Sequence, residues 1–175
     1  MIKLSLAEIS QALNGELRGA AGVAEFLVTG SVETDSRLVT PGALFFARPG
    51  EVTDGHLFVA SAAANGAIAA VVDHAVECEI PQIIVADVTL ALGALAKFVL
   101  ARIRESSGLK VIGITGSNGK TTTKNMLREI LSQVGETIAP IESYNNEVGA
   151  PISILKADFE TKFLVVELGA GGPGS

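Results

Sequence analysis

The chain has 175 residues, 13 basic and 19 acidic side chains, and a formal net charge of −6. Binding a nucleic-acid duplex needs clustered Lys and Arg, so this balance argues against nucleic acid as a partner. Mean hydropathy is positive, but the richest apolar runs, SAAANGAIAAVV and LALGALAKFVLA, carry Asn65 and Lys97 and fall short of the roughly 20 residues a spanning helix needs, so membrane insertion is not expected. The segment MIKLSLAEISQAL carries Glu8 and has no apolar signal core. A lone cysteine, Cys78, excludes an internal disulfide, and a cytoplasmic location is the expectation.

Residues 3–14 predict a short amphipathic helix with Leu6, Ile9 and Leu13 on one face, closed at Asn14-Gly15. The stretch FLVTGSVETDSRLVTPGALFFARPG mixes β-branched and aromatic residues with turn formers, which predicts strands. LFFA, residues 44–47, predicts a buried strand, and residues 57–66 a helix. AIAAVVD and QIIVAD have the continuous apolar character of strands in a buried parallel sheet. Residues 89–105 predict a long helix with Thr89 as its N-cap and Arg102 and Arg104 near its negative pole. KVIGITG is a strand, TTTKNMLREILSQVG a helix, residues 137–139 a further strand, and KFLVVELGAG a strand running into a glycine loop. The polar turn SYNNEVGAP leads into a helix or a strand. The organisation expected is an α/β domain over 1–87, a connecting helix over 88–107, and the start of a second α/β domain over 108–175. An open nucleotide-binding sheet needs more strands than this second part supplies, so it is expected to be incomplete and prone to self-association through exposed apolar surface.

The most informative stretch is ITGSNGKTT, residues 114–122, between a predicted strand and a predicted helix. A triphosphate needs several N–H donors aimed at one place and a cation beside them, and a glycine-rich turn into a helix N-terminus provides them. Gly116 and Gly119 let the backbone curl, Lys120 can reach the β- and γ-phosphates, and the Thr121 hydroxyl stands where Mg²⁺ is usually held. The spacing departs from G-x-x-x-x-G-K-[ST], because Ile114 stands where the first glycine is usual. An acidic residue ending an apolar strand, as Glu167 does in FLVVELGAG, suits a metal ligand near such a loop.

With its displaced glycine, T-G-x-N-G-K-T-T resembles the ATP loop of the Mur ligase family, which builds the peptide of bacterial peptidoglycan. The stretch ETDSRLVTPGALFFARPGEVTDGHLFVASAAANGA, residues 33–67, resembles the family's UDP-binding domain, which carries D-S-R, P-G-x-L-F-x-A, D-G-H-x-F and G-A. SYNNEVGAP, residues 143–151, resembles the Y-N-N-x-x-G-x-P motif of the member that adds a terminal dipeptide. The likeness extends to about Ala170, after which GGPGS departs from it.

The resemblance implies an ATP-dependent amide ligase that joins D-alanyl-D-alanine to UDP-N-acetylmuramoyl-tripeptide through an acyl phosphate, with ATP and Mg²⁺ as cofactors. It implies that Thr115, Gly116, Ser117, Asn118, Gly119, Lys120, Thr121 and Thr122 bind ATP, with Lys120 and Glu167 catalytic. It gives Thr121 and Glu167 to the metal, and Ser36, Arg37, Asp54, His56, Asn145 and Asn146 to the UDP substrate. Taken alone, Arg37 could instead pair with Asp35 or Glu33 on the surface, and His56 could cap a helix. Three other readings compete. They are the tripeptide-forming ligase of the family, a non-catalytic UDP-sugar-binding fragment, and a free-standing P-loop switch. Complete ligases of this kind are over twice as long, so these 175 residues alone are expected to be inactive.

Overall fold

The tetrapeptide SLAE, residues 5–8, fixes where the first helix begins. The Ser5 hydroxyl accepts from the Glu8 backbone N–H at 3.2 Å, and the Glu8 carboxylate accepts from the Ser5 backbone N–H at 2.9 Å, a reciprocal capping box. In the computed structural model, which describes residues 1–50, 53–140 and 148–167, helix α1 therefore spans Leu6–Leu13. It is preceded by the short strand β1, Leu4–Ser5. Asn14 ends the helix in the left-handed conformation, φ 50°.

Two compact units follow, Met1–Leu95 and Ala96–Ser175. In the first, β2 (Glu16–Arg18), β3 (Leu27–Val28), β4 (Val32–Glu33), β5 (Leu44–Phe46), β6 (Ala69–Val72) and β7 (Gln82–Ile84) are short strands. Five of them form a sheet of order β2-β7-β6-β5-β4, parallel except for β2 against β7, and β1 pairs antiparallel with β3. Every residue of β5 and β6 is buried, which explains why LFF and AAVV read as unbroken apolar runs.

Alternation sorts those residues onto two faces. Phe45, Ala70 and Val72 share one core cluster with Val59 and Ala62, which come from helix α2, Val59–Ala64. Small residues at 62 and 70 let the helix backbone sit close to the sheet, while Phe45 fills the remaining volume.

Helix α3 runs over Val88–Ser106 and crosses the boundary between the units. Its buried residues, Val88, Ala91, Leu92, Leu95, Ala96, Val99 and Ile103, recur at helical spacing. Its cap is Asp87 rather than Thr89. The Asp87 carboxylate accepts from the Leu90 N–H at 2.8 Å, while the Thr89 hydroxyl accepts from Arg48 Nε at 3.0 Å.

The second unit carries β8 (Lys110–Ile114), helix α4 (Lys120–Leu131), β9 (Thr137–Ile138), helix α5 (Gly149–Ile154) and β10 (Phe163–Glu167). Its three strands form a parallel sheet of order β8-β10-β9. The fold class is α/β, as expected. Among the described residues no helix is long and apolar enough to cross a membrane.

Candidate functional site

Parallel pairing of β8 with β10 builds the site. The register runs from Lys110 beside Phe163 to Ile114 beside Glu167, so both strands end at the same level. In a parallel sheet, loops at the carboxyl ends of the strands form the ligand crevice. The loop after Ile114 leads into α4, and Glu167 closes β10 next to it.

Gly116 and Gly119 take φ values of 148° and 77°, a region closed to most side chains. At 119 a Cβ would meet nothing within 4 Å, so glycine is required there by conformation and not by space. The first turn of α4 offers backbone N–H groups with no partner inside the helix, and the positive pole of its dipole lies at the same end. Ser117 through Thr122 and Glu167 together line a cavity of about 290 Å³.

Two lysines lie one helical turn apart on α4, and of these Lys120 lines the cavity. Lys120 Nζ donates to the Gly116 carbonyl at 2.7 Å, so the amine rests on its own loop. Lys124 is fully buried, and its Nζ lies 2.9 Å from Oε1 of Glu167, itself 2% exposed. That contact is an ion pair without hydrogen-bond alignment: among the described residues neither Glu167 oxygen accepts an aligned hydrogen bond. A buried carboxylate with spare acceptor capacity is a hard oxygen donor set, which suits Mg²⁺. Sequence reasoning missed Lys124. The only signal was its i+4 spacing from Lys120, because its partner lies far along the chain.

Of the residues expected to hold the UDP substrate, Ser36 and Arg37 lie on the short 3₁₀ turn Ser36–Leu38, His56 lies on the turn Gly55–Phe58 and Asp54 caps it, and both turns contact α2. Ser36 is buried, and its carbonyl accepts from Asn65 Nδ2 at 2.8 Å. Arg37 grips Asp35 with two donors, Nε to Oδ1 at 2.9 Å and an Nη to Oδ2 at 2.6 Å. The guanidinium hydrogen bond, helped by the Arg37 backbone N–H, lowers the Asp35 pKa to about 2. Arg37 thus makes the surface pair that its neighbours suggested, and a ligand reaching it must share it with Asp35.

Asp54 caps the second turn by accepting from the His56 backbone N–H at 2.9 Å. That bond, with the imidazole contact behind it, holds the Asp54 carboxyl below its ordinary range. The His56 ring is buried between two partners: Nδ1 lies 2.6 Å from Asp54 Oδ1, and Nε2 accepts from the Asp73 N–H at 3.2 Å. Nε2 also lies 3.3 Å from Asp73 Oδ1, and these contacts tie the turn to the end of β6. Nitrogen and oxygen atoms of His56, Asp73 and His74 lie within 4.8 Å of one another. The two rings are stacked at 4.2 Å with only 23° between their planes. Imidazole binds a metal in its own plane, so near-parallel rings do not meet at one ion without moving. Asn145, Asn146 and the residues after Glu167 lie outside the described part.

The strand, glycine loop, helix and carboxylate-ended strand make this unit α/β, with its loop at the carboxyl end of a parallel strand. Residues 29–114 match the Mur ligase family catalytic domain, and residues 114–175 match the Mur ligase middle domain. The chain belongs to the Mur ligase family. The second match continues through Ser175, beyond the Ala170 limit of the sequence resemblance.

Among curated relatives, a UDP-N-acetylmuramoyl-tripeptide–D-alanyl-D-alanine ligase of Mycobacterium leprae is 40% identical over 200 residues, covering 100% of this chain and 38% of the relative. MurF of Acinetobacter baumannii superposes with a TM-score of 0.87 at 37% identity, over 99% of this chain and 37% of that one. MurF ligase of Thermotoga maritima, solved in complex with ADP, gives a TM-score of 0.67 at 32% identity, over 84% of this chain and 34% of that one. The chain thus spans under two-fifths of the length of the relatives it matches.

Proposed function

We propose that this chain supplies the UDP-substrate module and the phosphate loop of an ATP-dependent ligase that adds D-alanyl-D-alanine to UDP-N-acetylmuramoyl-tripeptide. The observation that carries the proposal is the shared cavity of Ser117–Thr122 and Glu167 at the carboxyl ends of β8 and β10. Similarity over the whole chain to ligases of that name supplies the reaction. The domain assignment proposed remains 1–87 for the UDP substrate, 88–107 as connector and 108–175 for ATP.

In this reaction the tripeptide carboxylate attacks the γ-phosphorus of ATP. The bond to the β-bridging oxygen breaks, ADP leaves, and an acyl phosphate forms. The amine of D-alanyl-D-alanine then adds to the acyl carbon, phosphate departs with its oxygen, and the nitrogen gives up a proton. The protein's work is positioning and charge neutralisation. The loop N–H groups from Gly116 to Thr122 would cradle the phosphates, with Thr115, Ser117 and Asn118 shaping the approach. Lys120 would exchange the Gly116 carbonyl for a γ-phosphate oxygen. Thr121 and Glu167 would hold Mg²⁺, which when bound supplies positive charge beside the phosphates.

Ser36, Arg37, Asp54 and His56, with Asn145 and Asn146, are proposed for the UDP substrate. Arg37 carries an outward-facing positive charge, its side chain being 85% exposed. A cytoplasmic site of action fits an enzyme that consumes ATP. A polypeptide of these residues alone is proposed to bind its ligands without turning them over. Calorimetric titration with UDP-N-acetylmuramoyl-tripeptide tests the substrate half: saturable binding weakened by Arg37→Ala supports it, and no binding by a folded sample contradicts it.

A further inference from the structure

We propose that the Lys124 ammonium and a divalent cation are alternative counterions of Glu167, so that Lys124 keeps the metal site closed until nucleotide arrives. The inference rests on the reading of Glu167 as a metal ligand and goes beyond it. A carboxylate 2% exposed cannot stay charged without a partner, and the fully buried Lys124 is that partner at 2.9 Å. The pairing leaves the carboxylate neutralised but under-coordinated, since neither oxygen accepts an aligned hydrogen bond among the described residues.

Mg²⁺ bonds carboxylate oxygen at about 2.0–2.1 Å. An ammonium held 2.9 Å from Oε1 would then face a doubly charged ion only a few ångströms away, in surroundings that screen charge poorly. Without phosphates the two cations oppose each other. With them, the added negative charge offsets the repulsion, and the lysine's flexible four-carbon stem lets the ammonium draw back. Lys124 is thus a positioning residue that couples metal entry to nucleotide entry. Lys120, one turn away, is held in reserve in the same manner on the Gly116 carbonyl.

Mn²⁺ binding, followed by the loss of the free-ion paramagnetic resonance signal, tests this without reference to turnover. The unaltered chain, Lys124→Met, Lys124→Arg and Glu167→Gln are each titrated with and without ATP. Lys124→Met is expected to bind Mn²⁺ at least about tenfold tighter than the unaltered chain when nucleotide is absent, with the gap closing when ATP is present. Lys124→Arg, which keeps the charge, should behave as the unaltered chain does.

Unchanged or weaker nucleotide-free binding in Lys124→Met overturns the proposal. If Glu167→Gln binds Mn²⁺ with ATP as well as the unaltered chain does, the reading of Glu167 as a ligand has failed instead. Should Lys124→Met melt early because Glu167 has lost its partner, Mn²⁺ must restore a cooperative transition. A variant that stays unfolded in saturating Mn²⁺ contradicts the exchange.

Discussion

Glu167 stands directly beside Ile114 in the parallel register of β10 and β8, which places a buried carboxylate at the point where the chain turns into the glycine loop. The relationship depends on register. A slip of one residue would turn the carboxylate to the other face of the sheet.

Gly119 is the most exposed test of the loop conformation. At φ 77° and with nothing within 4 Å of a would-be Cβ, Gly119→Ala carries only conformational strain. The expected cost is about 1–2 kcal/mol of stability. Gly119→Asn should cost less, because asparagine tolerates left-handed backbone. Thermal melts of the two variants check the order, and equal losses would mean that the loop relaxes into another conformation.

The core of the first unit is tested at Phe45, which is fully buried between strand and helix neighbours. Phe45→Ala should destabilise by about 3–5 kcal/mol in denaturant titration, since the cavity left behind cannot collapse against a sheet interior. A loss under about 1 kcal/mol would contradict that packing.

Asp35 gives a pH signature. Its folded pKa is lowered to about 2 by Arg37, below an unfolded value of about 3.9. A lowered carboxyl adds stability that is present above the unfolded pKa and lost as pH falls through the folded one, so the window is about pH 4 down to 2. Arg37→Ala should move the Asp35 midpoint upward in a carboxyl-carbon NMR titration. The shift should be partial, because the residue-37 backbone N–H still donates at 3.0 Å. An unmoved midpoint would show that the guanidinium is not the cause.

Surface chemistry predicts association. Met126 and Ile130 of α4 and Val134 in the turn after it are each more than 60% exposed, and Val111 of β8 is 40% exposed. An apolar stripe of this kind favours a covering partner, and a second copy is the proposed one for these 175 residues. Light scattering across a concentration series should show mass rising above the monomer. Ile130→Glu should suppress the rise, and a monomer at all concentrations would refute the proposal.

How much of this was legible in the sequence follows from where the determining interactions lie. LFF and AAVV were readable as strands because burial on both faces leaves an unbroken apolar run. The loop was readable as a strand-to-helix turn because its glycine spacing, Lys120 and Thr121 are adjacent in sequence. The first helix was placed from residue 3, although the SLAE capping box already marks its start after Ser5. Asp87 was passed over for Thr89 because both are good caps and only the structure shows which carboxylate or hydroxyl meets an N–H. Strand order was not legible, since pairing is a long-range choice. Nor was the buried pairing of Lys124, because a lysine in a helix reads as a solvated charge until Glu167 is seen beside it.

The central claim is that the loop after β8 and the carboxylate at the end of β10 form one nucleotide site. Calorimetric titration of the chain with ATP in Mg²⁺ tests it most directly. The account predicts saturable one-to-one binding, weakened about 10- to 100-fold by Lys120→Ala, as expected for loss of a charge-assisted phosphate contact. The fold should be undisturbed, because among the described residues the Lys120 amine donates to its own loop carbonyl. A folded chain that binds no ATP, or that binds equally well without Lys120, would contradict it.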